Sequence, residues 1–264
     1  MAHAGAVALY EVHGLKKSFG ELEVLRGVNL EVERGELVTV MGDSGSGKSL
    51  LFKLMLGLRE PDAGRLVFDG KDLSDAPESE WLAVRRRVGI SFQEPALFDS
   101  MSVFDNIAYG IREQSLLPEK AIPRRVSETL AAVGLPGIEE MAPSSLSGGM
   151  QKRVGIARAI AMRPEMVVYD EPTEGLDPIN VTRVNRLMLA LRERFAVTTV
   201  VATHNMRSAF ETSDRLILLH EGQAVLTGTP KELRESGDPR LEDFVRASEM
   251  RLPRPSEAPP PPGR

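Results

Sequence analysis

The chain has 264 residues, 42% of them hydrophobic, and 33 Lys and Arg against 38 Asp and Glu give a net charge of −5. That length and apolar share suffice for one large α/β domain or two small ones with a packed core, while the acidic balance argues against nucleic acid as the main partner, since a phosphate backbone needs a basic face. The absence of cysteine excludes a disulfide framework and any thiolate metal site; the first eight residues lack the charged start of a signal peptide, and no apolar run reaches the roughly 18 to 20 residues that span a bilayer.

Up to Phe68 the chain reads as short strands, at residues 9–12, 30–32, 37–41 and 65–68, with Asp69-Gly70 closing a hairpin. One helix interrupts them, at about residues 48–56. Past Trp81, residues 88–92 read as a buried strand, and helical spacing over 102–117 and 123–133 is broken by Gly134 and Pro136. From Val167 onward, strands at 167–169, 197–202 and 216–219 alternate with helices near 181–195 and 206–212, the pattern of a parallel sheet with crossover helices. The expected architecture is α/β with a helical insertion in the middle third. Residues 251–264, which hold four consecutive prolines, read as a disordered or polyproline tail.

Directly after the apolar run 37–41 stands Gly42-Asp43-Ser44-Gly45-Ser46-Gly47-Lys48-Ser49, a phosphate-binding loop. Gly42, Gly45 and Gly47 let the backbone curl with its N–H groups inward, Lys48 is placed for the outer phosphates, and the Ser49 hydroxyl for Mg²⁺. The helix that follows adds the positive end of its dipole. A nucleoside triphosphate is the expected ligand.

Two further segments carry chemistry. Met166-Val167-Val168-Tyr169-Asp170-Glu171 is an apolar strand that delivers two carboxylates at its tip, where open α/β sheets bind their ligands; Asp170 would hold Mg²⁺ through water and Glu171 would position or deprotonate the attacking water. In Leu146-Ser147-Gly148-Gly149-Met150, Ser147 fits a helix N-cap, and Met150, Val154, Ala157, Ile160 and Ala161 share one face of the helix that follows. Glycines in that first turn expose backbone N–H groups at a positive helix end. This partial anion site has neither lysine nor acidic strand of its own, so the reading is either a plain capped helix or a half-site that closes over the cradle of another copy.

The order GDSGSGKS, Gln93, LSGGM, VVYDE, Asp177, His204 resembles that of ATP-binding cassette ATPases over about residues 7–228. The resemblance implies an ABC-type P-loop NTPase with a parallel core sheet, an antiparallel β subdomain and a helical subdomain at about 94–163, the ATPase domain covering 1–250. It implies ATP and Mg²⁺ as cofactors, Phe19 stacked on adenine, and Gln93 reaching Mg²⁺ and the water. It further implies that Ser44, Ser46 and Leu50 bind nucleotide with the rest of the loop, that Asp177 crosses to a second copy, and that His204 senses the γ-phosphate. Leu50 stands where the family often has Ser or Thr, and Asp43 where proline is frequent, so backbone contacts replace a hydroxyl contact to the α-phosphate.

Three fragments, at 91–98, 102–109 and 146–153, look like the ATPase subunits of Mla/Mce-type lipid transporters. That likeness implies a homodimer on a membrane permease of the MlaE type, with a lipid-binding Mce-domain protein as a further partner, held at the cytoplasmic face of the inner membrane through the permease. Residues 105–110 would lie near the groove that accepts a permease helix. The alternatives are an importer cassette for another solute such as amino acids, and a cassette acting on nucleic acid or ribosomes; against the latter stands a single cassette without a long coiled-coil insertion.

Overall fold

The computed structural model describes residues 8–247; the predicted tail at 251–264 lies outside them. The chain begins with β1 (Ala8–Phe19) and β2 (Leu22–Glu33), an antiparallel pair joined at Gly20-Glu21. Both strands are far longer than their apolar runs at 9–12 and 30–32, because Lys16, Lys17, Glu23 and Arg26 line faces that remain outside the core while Leu15, Leu25 and Val28 continue the buried alternation. A register shift between Val12 and Leu15 bends β1 at Gly14, whose φ of +57° suits a glycine.

Next come β3 (Leu37–Met41), α1 (Lys48–Met55), β4 (Ala63–Phe68) and β5 (Lys71–Asp72). The β4–β5 hairpin turns at Asp69-Gly70 with φ of +53° and +75°, the doubly positive turn that Asp-Gly favours. α2 (Glu78–Arg87) had no counterpart in the sequence reading. Arg85, Arg86 and Arg87 and an acidic first turn mask its apolar stripe, yet Val84 is buried and the Trp81 ring lies over Gly57. A Cβ on Gly57, at φ +64°, would stand 2.2 Å from Trp81 Cδ2. Gly57→Ala is therefore expected to cost about 2 kcal/mol in thermal unfolding, a drop of roughly 5 °C in Tm; an unchanged Tm would mean that Trp81 moves aside freely.

The remainder runs β6 (Val88–Ser91), α3 (Val103–Glu113), α4 (Ile122–Ala132), α5 (Gly148–Ile160), β7 (Met166–Asp170), α6 (Pro178–Phe195), β8 (Thr198–Thr203), α7 (Met206–Thr212), β9 (Arg215–His220), β10 (Gln223–Gly228), α8 (Pro230–Glu235) and α9 (Pro239–Ala247). α3 stops short of Leu117: Ser115 adopts φ +49° and Leu116 closes the last turn onto Ile111. α4 ends at the expected Gly134, φ +70°, with the Leu135 N–H donating to Leu130 O at 2.9 Å.

Two sheets organise these elements, one antiparallel in the order β2-β1-β4-β5, the other in the order β10-β9-β3-β8-β7-β6. The second is parallel from β9 to β6, and β10 adds an antiparallel edge that alternation with helices did not announce. β3, β7 and β8 are buried along their whole length, as strands covered on both faces must be. One apolar core fills the space between the two sheets around α1, and a second joins α3, α4, α5 and α6 to the other face of the parallel sheet. The carboxyl ends of β3, β8, β7 and β6 thus lie side by side, and the segments leaving them carry Gly42, His204, Glu171 and Gln93.

Candidate nucleotide site

The loop at 42–47 packs too closely for side chains at two of its glycines. A Cβ on Gly42 would meet Leu219 O at 2.3 Å, and one on Gly47, at φ +102°, would meet Leu25 Cδ2 at 2.6 Å. Gly47 is also the N-cap of α1 and supplies no side-chain cap, so the helix presents uncapped N–H groups to the loop. Ser46 Oγ is buried without a hydrogen-bond partner. A glycine-walled curl, an uncapped helix start and an orphaned hydroxyl fit a phosphate chain.

Lys48 is buried at 6% exposure. Its ammonium donates to Gly42 O at 2.7 Å and Asp43 O at 2.9 Å, and lies 3.4 Å from Glu171 Oε1. Ser49 Oγ donates to Asp170 Oδ1 at 3.0 Å, and burial raises the Asp170 carboxyl above the usual range, with the Ser49 hydrogen bond acting against it. Hard oxygen donors of this kind suit Mg²⁺, which binds through one or two protein oxygens plus phosphates and water. Among the described residues no cluster of three or more His, Cys, Asp or Glu could hold a metal without such help.

Glu171 follows β7 in the left-handed region, φ +46°, a conformation that costs a non-glycine residue on the order of 1–3 kcal/mol. It is held there from both ends: its N–H donates to Ala202 O at 2.9 Å, extending the β7–β8 pairing by one residue, and its Oε2 accepts the His204 N–H at 3.2 Å. His204 Nδ1 lies 3.1 Å from the same oxygen. The carboxylate therefore sits between Lys48 and His204 and faces a cleft of about 470 Å³.

Phe19, Ser44, Gly45, Gly47, Lys48, Ser49, Leu50, Gln93, Glu171 and His204 line that cleft together. Phe19 is 49% exposed at its rim, with the Lys17 ammonium 5.8 Å from the ring centroid. Leu50 packs partly against the core between the sheets. Ser147, Gly148, Gly149 and Asp177 are not brought to the cleft of their own chain. Ser147 caps α5 by accepting the Met150 N–H at 3.3 Å, and Asp177 caps α6 by accepting the Ile179 and Asn180 N–H groups. The bond from Asn180 N–H and the others on Asp177 hold its carboxyl below the usual range. Sequence reasoning missed Val24, Lys53, Arg59 and Glu174, which also line the cleft; Lys53 had a signal, since it stands five residues beyond Lys48 on the same short helix.

A family model described as ABC transporter matches residues 25–174. The chain belongs to the ABC transporter family. Within it, the chain is 37% identical over 238 residues to the intermembrane phospholipid transport system ATP-binding protein MlaF of Haemophilus influenzae, covering 90% of each. It is 40% identical over 256 residues to the chloroplastic protein TRIGALACTOSYLDIACYLGLYCEROL 3 of Arabidopsis thaliana, covering 91% of this chain and 74% of that one. It is also 37% identical over 239 residues to the sulfate/thiosulfate import ATP-binding protein CysA of Bacillus cereus, covering 89% of this chain and 66% of that one. Among solved structures, the dimeric cassette MJ0796 in a post-hydrolysis state with ADP and Pi superposes with a TM-score of 0.77 at 29% identity, covering 84% of this chain and 98% of that one. This ABC protein is an ATPase with the cassette fold expected from its motifs.

Proposed function

We propose that this ATPase works as a pair of identical copies that power a membrane transporter for phospholipid or a related lipid. ATP is bound by the loop at 42–49 and by Phe19, Mg²⁺ by Ser49, Asp170 and Gln93, and Glu171 is the general base or positioner for the attacking water. Mg²⁺, when bound, offsets charge on the phosphates. His204 carries the presence of the terminal phosphate to Glu171 through the contact of its ring Nδ1 with Glu171 Oε2.

The pairing rests on Gly148 and Gly149. A Cβ at either would meet open space within this chain, so nothing inside the chain excludes a side chain at these two positions. The requirement for a bare backbone at the start of α5 thus comes from outside the chain, and a phosphate held in the cradle of a second copy supplies it. Asp177, exposed at the start of α6, is the natural point for the crossing contact. Among the relatives, MlaF is itself a dimensioned match, with 90% of each chain aligned and a phospholipid transport system in its name.

No helix among the described residues is long and apolar enough to cross a membrane, so attachment to a bilayer goes through a permease of the MlaE type, with an Mce-domain protein as substrate carrier, at the cytoplasmic face of the inner membrane. The receiving surface is an apolar groove of about 450 Å³ lined by Leu58, Phe92, Phe98, Tyr109 and Met162, in which the Phe98 and Tyr109 rings lie 5.0 Å apart. Likeness to CysA favours an importer for a small anion as the second reading. Isolation of the tagged chain from its native membranes in mild detergent, followed by mass spectrometry, discriminates them: a co-purified permease with bound phospholipid is expected. A lipid-free complex whose ATPase activity rises with sulfate would overturn the lipid assignment.

A further inference from the structure

Lys152 is a side chain that neither the motifs nor the comparisons assign. It stands in the second turn of α5 and is only partly exposed. A cation there gains nothing from the helix dipole, which favours positive charge at the other end, and burial pulls its ammonium below the usual lysine range against the attraction of Glu174 and Glu171. Helix stability does not account for it.

Its contacts do. The Lys152 ammonium lies 3.4 Å from the backbone carbonyl of Glu171 and 3.5 Å from that of Gln93. The Glu171 carbonyl also accepts the Glu174 N–H at 3.2 Å, so the peptide that sets the left-handed turn at Glu171 is clasped from two directions. A strained backbone conformation persists only where its surroundings fix it, and Lys152 is the one contact to this carbonyl that comes from α5. Glu174 completes the arrangement: its Oε2 is buried without a hydrogen-bond partner, and it lines the nucleotide cleft beside Glu171.

We infer that Lys152 is a positioning residue: it holds the Glu171 backbone so that the carboxylate faces the cleft, and it ties that residue to the Gln93 loop, the Glu174 charge attracting the ammonium without forming an ion pair with it. Movement of the helical segment that carries α5 then reaches the reacting carboxylate through the Glu171 backbone. The inference rests on Glu171 being the catalytic carboxylate.

The test uses the full-length protein. Lys152→Met is expected to lower kcat about tenfold, in the range for a slightly misplaced catalytic group, with KM for ATP and fluorescent-nucleotide affinity unchanged. Lys152→Arg, which can still donate to both carbonyls, restores most of the rate. Glu174→Gln lowers kcat less, and the double variant Lys152→Met/Glu174→Gln falls no further than Lys152→Met alone, since the Glu174 charge bears on Glu171 only through the ammonium. A wild-type kcat in Lys152→Met, a loss carried mainly by KM, or failure of the arginine to rescue would overturn the role of Lys152. Glu171→Gln serves as the control: loss of turnover there beside an unaffected Lys152→Met sinks this inference alone, whereas retained turnover in Glu171→Gln removes the assignment of the carboxylate as well. If Lys152→Met does not fold, the Lys152→Arg and Glu174→Gln rates decide: near-wild-type arginine with reduced glutamine sustains the role, and any other pair of rates ends it.

Discussion

Replacing Glu171 by glutamine is expected to leave ATP binding within a few-fold of the parent while turnover falls by about 10²-fold or more, the range for lost proton-transfer help. The geometry explains why the two effects separate. Glu171 is delivered by β7 and by its own left-handed turn, neither of which depends on the charge of its side chain: the N–H still donates to Ala202 O and the carbonyl still accepts the Glu174 N–H. The amide keeps one oxygen, which can go on accepting the His204 N–H now 3.2 Å from Oε2. Its NH₂ group then faces the Lys48 ammonium, now 3.4 Å from Oε1, and that repulsion frees Lys48 to turn toward phosphate instead of tying it down. Binding is therefore spared. Proton acceptance is not, because an amide cannot take a proton from water at neutral pH. Phosphate-release kinetics and titration with a fluorescent nucleotide measure the two quantities on one preparation. With hydrolysis blocked, ATP should also convert the protein to a dimer in size-exclusion chromatography; a variant that binds ATP but stays monomeric, even with its membrane partner supplied, would contradict the shared site, and normal turnover would remove Glu171 from the chemistry.

How far the sequence revealed this arrangement depended on how local each signal was. The loop at 42–49, the strand carrying Asp170 and Glu171, and the cap at Ser147 are written in contiguous residues, and the Met150 N–H bond to Ser147 forms at the position where that cap was read, whereas Asp177, read only as a crossing contact, caps α6 within its own chain. The long first hairpin was not legible in the same way. Its outer halves alternate charged residues with single buried ones such as Leu15 and Leu25, and Gly20-Glu21, although a glycine at the first central position suits the two-residue turn it makes at φ +60°, is a weaker hairpin signal than Asn-Gly or Asp-Gly. α2 escaped because its apolar stripe amounts to Trp81 and Val84 among charges, and only the approach of Trp81 to Gly57 makes it worth forming. Within the site, Glu174 and Lys152 were passed over for a related reason. Each looks like an ordinary surface charge, and Lys152 takes its meaning from carbonyls brought in by distant strands: those of Glu171 and Gln93 meet it only after β6 and β7 have paired side by side. Local chemistry can be read from spacing, whereas a residue that acts by bridging segments can be recognised only once the segments meet.

Lys48→Ala is expected to abolish measurable nucleotide binding, and with it turnover. The loop backbone is shaped by the packing of Gly42 against Leu219 O and of Gly47 against Leu25, so the curl itself should survive the substitution. What disappears is the sole cation among the motif residues that the structure places at the loop, buried to 6% exposure where attraction to a phosphate is screened little. Removing it also leaves Glu171 facing the phosphates without the ammonium now 3.4 Å from its Oε1, so repulsion between carboxylate and ligand replaces a bridge between them. The two losses act in the same direction, which is why this substitution should exceed any single change elsewhere in the cleft, including loss of the Phe19 ring, since an aromatic stack on a base of the kind proposed for it is worth roughly 1–3 kcal/mol. A further comparison separates the contributions: Lys48→Ala/Glu171→Gln removes the repulsion but not the missing cation and should recover part of the affinity in a nucleotide titration. Affinity unchanged in Lys48→Ala would exclude the loop as the phosphate site, and no recovery in the double variant would mean that Glu171 does not bear on binding at all.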